Sequence, residues 1–265
     1  VSLGPGARPF MVPEALEALA RSEVVMGYTL YMELIKDLLE GKEVHSSGMR
    51  KEVDRCRDAI DHASRGRRVA LVSSGDAGIY AMAGLVLDLC REREFTVARQ
   101  DTGPLSSGVD FCLEVIPGVA AFNAAASILG APLMHDFAAV SLSDHLTPWA
   151  LIEKRLEAAA LADFVLAVYN PRSKARPHLL NEARSILLRH KSPQTPVGIV
   201  RKAMRDGQFH CLTTLEEIPM EEVDMQSVLL VGNSRTYVWN GWMVTPRGYL
   251  DKYDPDGARK SPEKE

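Results

Sequence analysis

The sequence is poor in cysteine: four in 265 residues, and no two of them spaced as a C-x-x-C pair. Cys56, Cys90, Cys112 and Cys211 stand far apart, so neither a zinc knuckle nor a redox pair has its spacing. Scattered cysteines in a chain of this length read as reduced residues of a cytoplasmic protein rather than a disulfide framework. Aromatic residues make up only 6%, and basic charge is not in excess: 31 Lys+Arg against 35 Asp+Glu leave a net charge of −4. Nucleic-acid binders ordinarily present a basic face interleaved with aromatics, and this composition gives it no support. No apolar run approaches the roughly 20 residues of a bilayer span. The longest candidate, 158–169, is broken by Asp163. No basic-then-apolar leader opens the chain. It begins at Val1 without a methionine, inside what reads as a strand, so a few residues are expected to precede it. Three nucleotide or nucleophile signatures are also missing. There is no G-x-G-x-x-G with its following acidic residue, no phosphate-loop lysine followed by Ser or Thr, and no G-x-S-x-G elbow.

What remains is an ordinary globular composition, 46% hydrophobic and 25% charged, enough for one large domain or two small ones. Strand and helix patterns alternate. Helical stretches are expected over 13–21, 28–39, 53–63, 77–90, 120–129, 149–161 and 177–190. Strands are expected over 1–3, 24–26, 69–73, 111–116, 138–142, 164–169, 197–200, 208–213 and 228–231. The 53–63 assignment rests on Val53, Cys56, Ile60 and Ala63, which fall on one helical face. The segment 91–110 and His45-Ser46-Ser47-Gly48-Met49 read as loop. Such alternation implies α/β architecture with mostly parallel or mixed sheets covered on both faces. Gly130-Ala131-Pro132 is the expected break between two α/β domains, 1–130 and 131–250. The polar tail 251–265 is expected to be disordered.

In open α/β sheets, ligands collect beyond the carboxyl ends of the strands, and there this sequence places its turns. Leu3-Gly4-Pro5-Gly6 allows positive φ and close approach of a ligand to backbone, or is a plain tight turn. Ser73-Ser74-Gly75-Asp76-Ala77-Gly78-Ile79-Tyr80 lies between a strand and a helix that Asp76 would cap. Its N–H groups suit a carboxylate or ribose oxygen. Ile116-Pro117-Gly118-Val119-Ala120-Ala121 leaves room for a flat group, or for tight helix packing. In Tyr169-Asn170-Pro171-Arg172-Ser173, Asn170 and Arg172 suit an anionic ligand, with Lys174 and Arg176 adding charge. Val200-Arg201-Lys202-Ala203 and Ser227 through Thr236 complete the set. Singly each is weak; six such turns imply a large backbone-lined cleft. Asp144-His145, just after a strand, is either an acid–base pair or solvated loop. His135-Asp136 lacks further ligands at metal spacing, and no metal is expected.

Together these loops resemble the tetrapyrrole methylases, from Leu3-Gly4-Pro5-Gly6 to about Arg235. The stretches that carry the likeness most strongly are 73–80, Ser141-Leu142-Ser143-Asp144, 169–173 and Val231-Gly232-Asn233-Ser234. Within that family the chain is similar to the branch acting at C17 of precorrin-3B or cobalt-factor III. The resemblance implies a cytoplasmic homodimeric enzyme of cobalamin biosynthesis. It implies two α/β domains with an active cleft between them, S-adenosylmethionine as methyl donor and a small-molecule tetrapyrrole as substrate. Donor contacts are then expected from Pro5, Gly75, Asp76, Ile79, Ala120, Ala121, Tyr169, Asn170, Ala203 and Ser227. Relatives often carry Thr-Ala where this chain has Ala120-Ala121, so one hydroxyl contact is absent. Gly4, Gly6, Ser141, Arg172, Lys174 and Arg201 are expected on the macrocycle, the cations anchoring its carboxylates. Methylation at C17 is expected to accompany ring contraction, with Asp144, His145 or His45 handling the proton. The rival readings are an RNA or protein methylase of this architecture, a nucleotide-dependent oxidoreductase, and a non-catalytic binding protein.

Overall fold

Val24-Val25-Met26 are buried together rather than alternately, which requires a strand covered on both faces. The computed structural model, which describes residues 1–99, 107–173 and 175–260, supplies those covers. It divides the chain into a first unit, 1–124 with 204–206, and a second, 125–203 with 207–260 among the described residues.

The first unit opens with a 3-10 turn, Arg8–Phe10, and continues with α1 (Pro13–Arg21), β1 (Val24–Tyr28), α2 (Thr29–Leu34) and β2 (Glu43–Ser47). Then come α3 (Glu52–Ala63), β3 (Val69–Val72), α4 (Ala83–Glu92), β4 (Val97–Arg99) and β5 (Phe111–Leu113). Pro13 begins α1, where its missing N–H costs nothing. β1 is the centre of a parallel sheet ordered β2-β1-β3. Residues 1–4 extend it: the Leu3 N–H donates to the Ser73 carbonyl at 2.8 Å, and the Ser2 N–H to that of Ile116 at 3.2 Å. Leu3 is thereby fully buried beside Val25, Met32, Ile35 and Val72.

Helix α5 (Ala121–Leu129) carries the division at 124/125. The second unit holds β6 (Gly130–Ala131), β7 (Phe137–Ser141), α6 (Trp149–Leu161), β8 (Val165–Tyr169) and α7 (Leu179–Leu187). It continues with β9 (Pro196–Arg201), β10 (Phe209–Thr214), β11 (Ser227–Val231), β12 (Tyr237–Trp239), β13 (Trp242–Val244) and α8 (Tyr249–Lys252). Its main sheet runs β10-β9-β11-β8-β7 over one apolar cluster that includes Leu142, Leu156, Leu166, Ile199 and Leu229. Lys191 is buried beneath it. Its ammonium donates to the Phe164 carbonyl at 2.9 Å and the Gly232 carbonyl at 3.0 Å, and lies 3.5 Å from Asp163. Asp163 in turn accepts from the Ser234 hydroxyl at 2.6 Å and its N–H at 3.0 Å, so the 232–236 turn is clamped internally.

The expected α/β architecture with mostly parallel or mixed sheets is what the structure has: the pairings of the first unit are parallel, and in the main sheet of the second β7–β8 is parallel while β8–β11, β11–β9 and β9–β10 are antiparallel. Several other expectations are corrected. The expected helix over 77–90 begins only at Ala83, because Gly78 and the left-handed Tyr80 (φ 52°) keep 76–82 irregular. The 28–39 helix is split into α2 and a 3-10 turn, Lys36–Leu38. His45 lies not in a loop but on the edge strand β2, whose residues are too polar to show an alternating pattern. Ala131 is not a linker: Gly130 and Ala131 pair in parallel with Met243 and Val244. Within the described part of the tail, α8 runs to Lys252 and the Lys260 N–H donates to the Lys252 carbonyl at 2.9 Å. Among the described residues no helix is long and apolar enough to cross a membrane.

Replacing Lys191 by Met should cost roughly 2–4 kcal/mol in urea unfolding, because two buried carbonyls and Asp163 lose their donor. Gly84→Ala, in exposed helix with open space around it, should instead raise stability by about 0.5–1 kcal/mol.

Candidate functional site

In the first unit three strand-end loops are tied together through main chain. Gly4 and Gly75 exchange both hydrogen bonds, at 3.1 and 2.6 Å. The Ser2 hydroxyl donates to the Ile116 carbonyl at 2.5 Å and accepts the Ala77 N–H at 2.8 Å. The sequence predicts that Asp76 caps the following helix; instead α4 starts after Met82 with no side-chain cap. The Asp76 carboxylate accepts the Gly78 N–H at 2.8 Å on one oxygen and the Gly118 N–H at 3.0 Å on the other. The glycines are obligatory where the strands cross. A Cβ on Gly118 would stand 2.6 Å from the Gly75 carbonyl oxygen, and one on Gly4 (φ 59°) 2.7 Å from that of Phe10. Gly75 (φ 71°) is buried, and a Cβ there would make ordinary contact with the Ala121 nitrogen at 3.6 Å; its left-handed backbone is what calls for glycine.

Gly4, Pro5, Gly6, Gly75, Asp76, Ile79, Ala120 and Ala121 therefore belong to one cluster built from three loops. Pro5 and Ala120 are buried and Asp76 and Ile79 half-buried. Methyl side chains at 120 and 121 leave the start of α5 able to lie against Gly75. A flat, hydrogen-bonding ligand of nucleoside and amino-acid character fits this chemistry. It offers one carboxylate, at Asp76, with small apolar side chains around it. His45 is not part of the cluster; its Nε2 lies 2.7 Å from Glu43 and its ring beside that of His62.

In the second unit Ser141 ends β7 in register with Tyr169 at the end of β8. Asn170, left-handed at φ 49°, donates from Nδ2 to the Ser141 hydroxyl at 2.9 Å. Arg176 donates to the Ser143 hydroxyl at 3.1 Å and to Asp144 at 2.6 Å. That hydrogen bond and charge hold the Asp144 carboxyl below its usual range, which makes it a weaker proton acceptor than the sequence suggested. His145 stands exposed in the adjoining turn.

Three expected contacts are otherwise employed. Arg172 donates to the Met220 carbonyl, and Arg201 to the Glu222 carbonyl at 3.1 Å while stacking on Phe209. The Ser227 hydroxyl is taken up by Asp224, 3.0 Å away. All three help hold the 219–227 turn, Arg172 and Arg201 each through Nη1. Ala203 is half-buried in the turn after β9. Lys174 lies outside the described residues.

Sequence reasoning missed Ser2, which ties two loops with one hydroxyl. It also missed Arg205, assigned with 204–206 to the first unit, whose Nε is buried with no hydrogen-bond partner among the described residues. Burial lowers the Arg205 pKa and raises that of the nearby Tyr31. Neither residue sits in a glycine-bearing motif, and no spacing marks them.

Replacing Arg176 by Gln should return the Asp144 carboxyl upward to the ordinary carboxylate range, as read by carboxyl carbon NMR titration. The depressed value means that what the pair contributes is present above the ordinary Asp range and is lost as pH falls through it. The contribution is small because the pair is solvated.

Comparison with known proteins adds the following. The family model described as Tetrapyrrole (Corrin/Porphyrin) Methylases matches residues 1–219. A Salmonella typhimurium protein named probable cobalt-factor III C(17)-methyltransferase is 49% identical over 249 residues, which span 94% of this chain and 98% of that one. A Priestia megaterium protein named cobalt-factor III methyltransferase is 47% identical over 253 residues, 96% of this chain; the match spans only 45% of that longer protein. The crystal structure of the methyltransferase CobJ superposes with a TM-score of 0.82 at 38% identity, over 92% of this chain and 97% of that one.

Proposed function

The chain belongs to the tetrapyrrole methylase family, and we propose that it transfers a methyl group from S-adenosylmethionine to C17 of a cobalt-factor III or precorrin-3B macrocycle, with contraction of the ring, in cobalamin biosynthesis. The observation that carries this reading is the end-to-end likeness to the Salmonella protein at 49% identity. A likeness of that extent leaves no large insertion in which a different substrate site would reside.

When bound, the sulfonium donor supplies a methyl already activated for displacement, so that the carbon–sulfur bond breaks as the new carbon–carbon bond forms. The protein's task is alignment, which supplies on the order of 7–11 kcal/mol in the best intramolecular cases. In this reading the Gly75 main chain, Asp76 and Ile79 hold the amino-acid and sugar ends of the donor. Pro5, Ala120 and Ala121 pack on it without polar contact, and Tyr169, Asn170 and Ala203 serve the adenine side. Gly4, Gly6 and Ser141 border the macrocycle.

Arg172, Lys174 and Arg201 are assigned to the macrocycle carboxylates, and Arg205, whose buried Nε has no hydrogen-bond partner among the described residues, joins them. His145, exposed at the end of the 141–145 turn, is assigned the proton step at a ring nitrogen. Asp144, kept ionised by Arg176, orients that turn.

Incubation with methyl-labelled donor and either pigment, followed by mass spectrometry, should show one labelled methyl gained. His145→Ala should retain donor binding while losing contraction. No label on either pigment would overturn the substrate assignment, and unchanged contraction in His145→Ala would overturn the proton role.

A further inference from the structure

Outside these loops, the first unit carries a cluster that the sequence spacing concealed. Glu43 and His45 are two residues apart on β2 and so project from the same face of the edge strand. His62 enters from the last turn of α3, and its ring centroid lies 5.3 Å from that of His45 with the planes tilted 59°. One donor atom from each residue, a carboxylate oxygen and two imidazole nitrogens, lies within 4.8 Å of the other two.

The geometry points to a divalent transition-metal site at Glu43, His45 and His62, of the zinc class, with three protein ligands and an open coordination position. Zinc takes imidazole nitrogen and carboxylate oxygen at about 2.0–2.2 Å, with four-coordinate geometry. The three donors, all within 4.8 Å of one another, stand close to the roughly 3.4 Å edge of such a tetrahedron. Glu43 and His45 are exposed and His62 half-buried.

Two further features bear on the site. Arg67 donates to the second oxygen of Glu43 at 2.6 Å, which fixes the carboxylate with its other oxygen turned toward His45. His62 stands in the last turn of α3, where the helix macrodipole favours positive charge. Imidazole-rich sets bind zinc, copper and nickel well and magnesium or calcium poorly, which sets the class.

The test is isothermal titration of zinc chloride into the untagged full chain. The wild type and Cys112→Ser, which removes an exposed thiol, should each take up one equivalent saturably. His45→Ala and His62→Ala should each abolish that binding, with circular dichroism unchanged. In parallel, zinc added to the wild type should shift the ring proton resonances of His45 and His62 and leave the other five histidines in place. Absence of saturable binding, binding that survives both His variants, or shifts confined to other histidines would overturn the site.

Discussion

The fold of the first unit depends on a main-chain crossing that only glycine permits. Gly4 and Gly75 bond to each other across two loops, and Gly118 passes so close that a single methyl group would meet the Gly75 carbonyl oxygen. Ser2 and Asp76 complete the junction by accepting N–H groups that the irregular backbone leaves outside any sheet or helix. The arrangement is rigid because buried backbone groups are satisfied in it. It can present backbone to a ligand because side chains are missing from it. The donor-binding role proposed for these loops follows from that combination: main chain and methyl groups brought together by hydrogen bonds among three loops.

The second unit solves a different problem. Its basic residues differ in what they hold. Arg172 and Arg201 tie down the 219–227 turn through carbonyl oxygens, and Lys191 does the same for the 232–236 turn. In each case a side-chain cation donates to main-chain carbonyl oxygen. Arg176 instead joins hydroxyl and carboxylate at the exposed 141–145 turn. Charge alone does not tell these classes apart.

Much of the fold was legible because buried strands betray themselves. The apolar runs at 24–26, 69–73, 164–169 and 228–231 each became β1, β3, β8 and β11 with small changes at the ends. Glycine turns marked the loops of the first unit for the same reason that they are needed there. What stayed hidden depends on pairing across long separations. β2 has no apolar face to reveal and exists because Val24 to Tyr28 lie beside it. The antiparallel course of β9 and β11 follows from connections that local pattern does not encode. Arg172, Arg201 and Ser227 looked like ligand contacts because their partners, Met220, Glu222 and Asp224, sit in a segment without signature. His62 joined Glu43 and His45 only once α3 was packed over the sheet.

The central claim is that the glycine junction of the first unit holds the methyl donor. Hydrogen–deuterium exchange on the wild-type chain, with and without saturating S-adenosylhomocysteine, tests it most directly. The account predicts slowed exchange over residues 4–6, 75–79 and 118–122. Unchanged exchange in all three, with protection appearing elsewhere in the first unit, would contradict it.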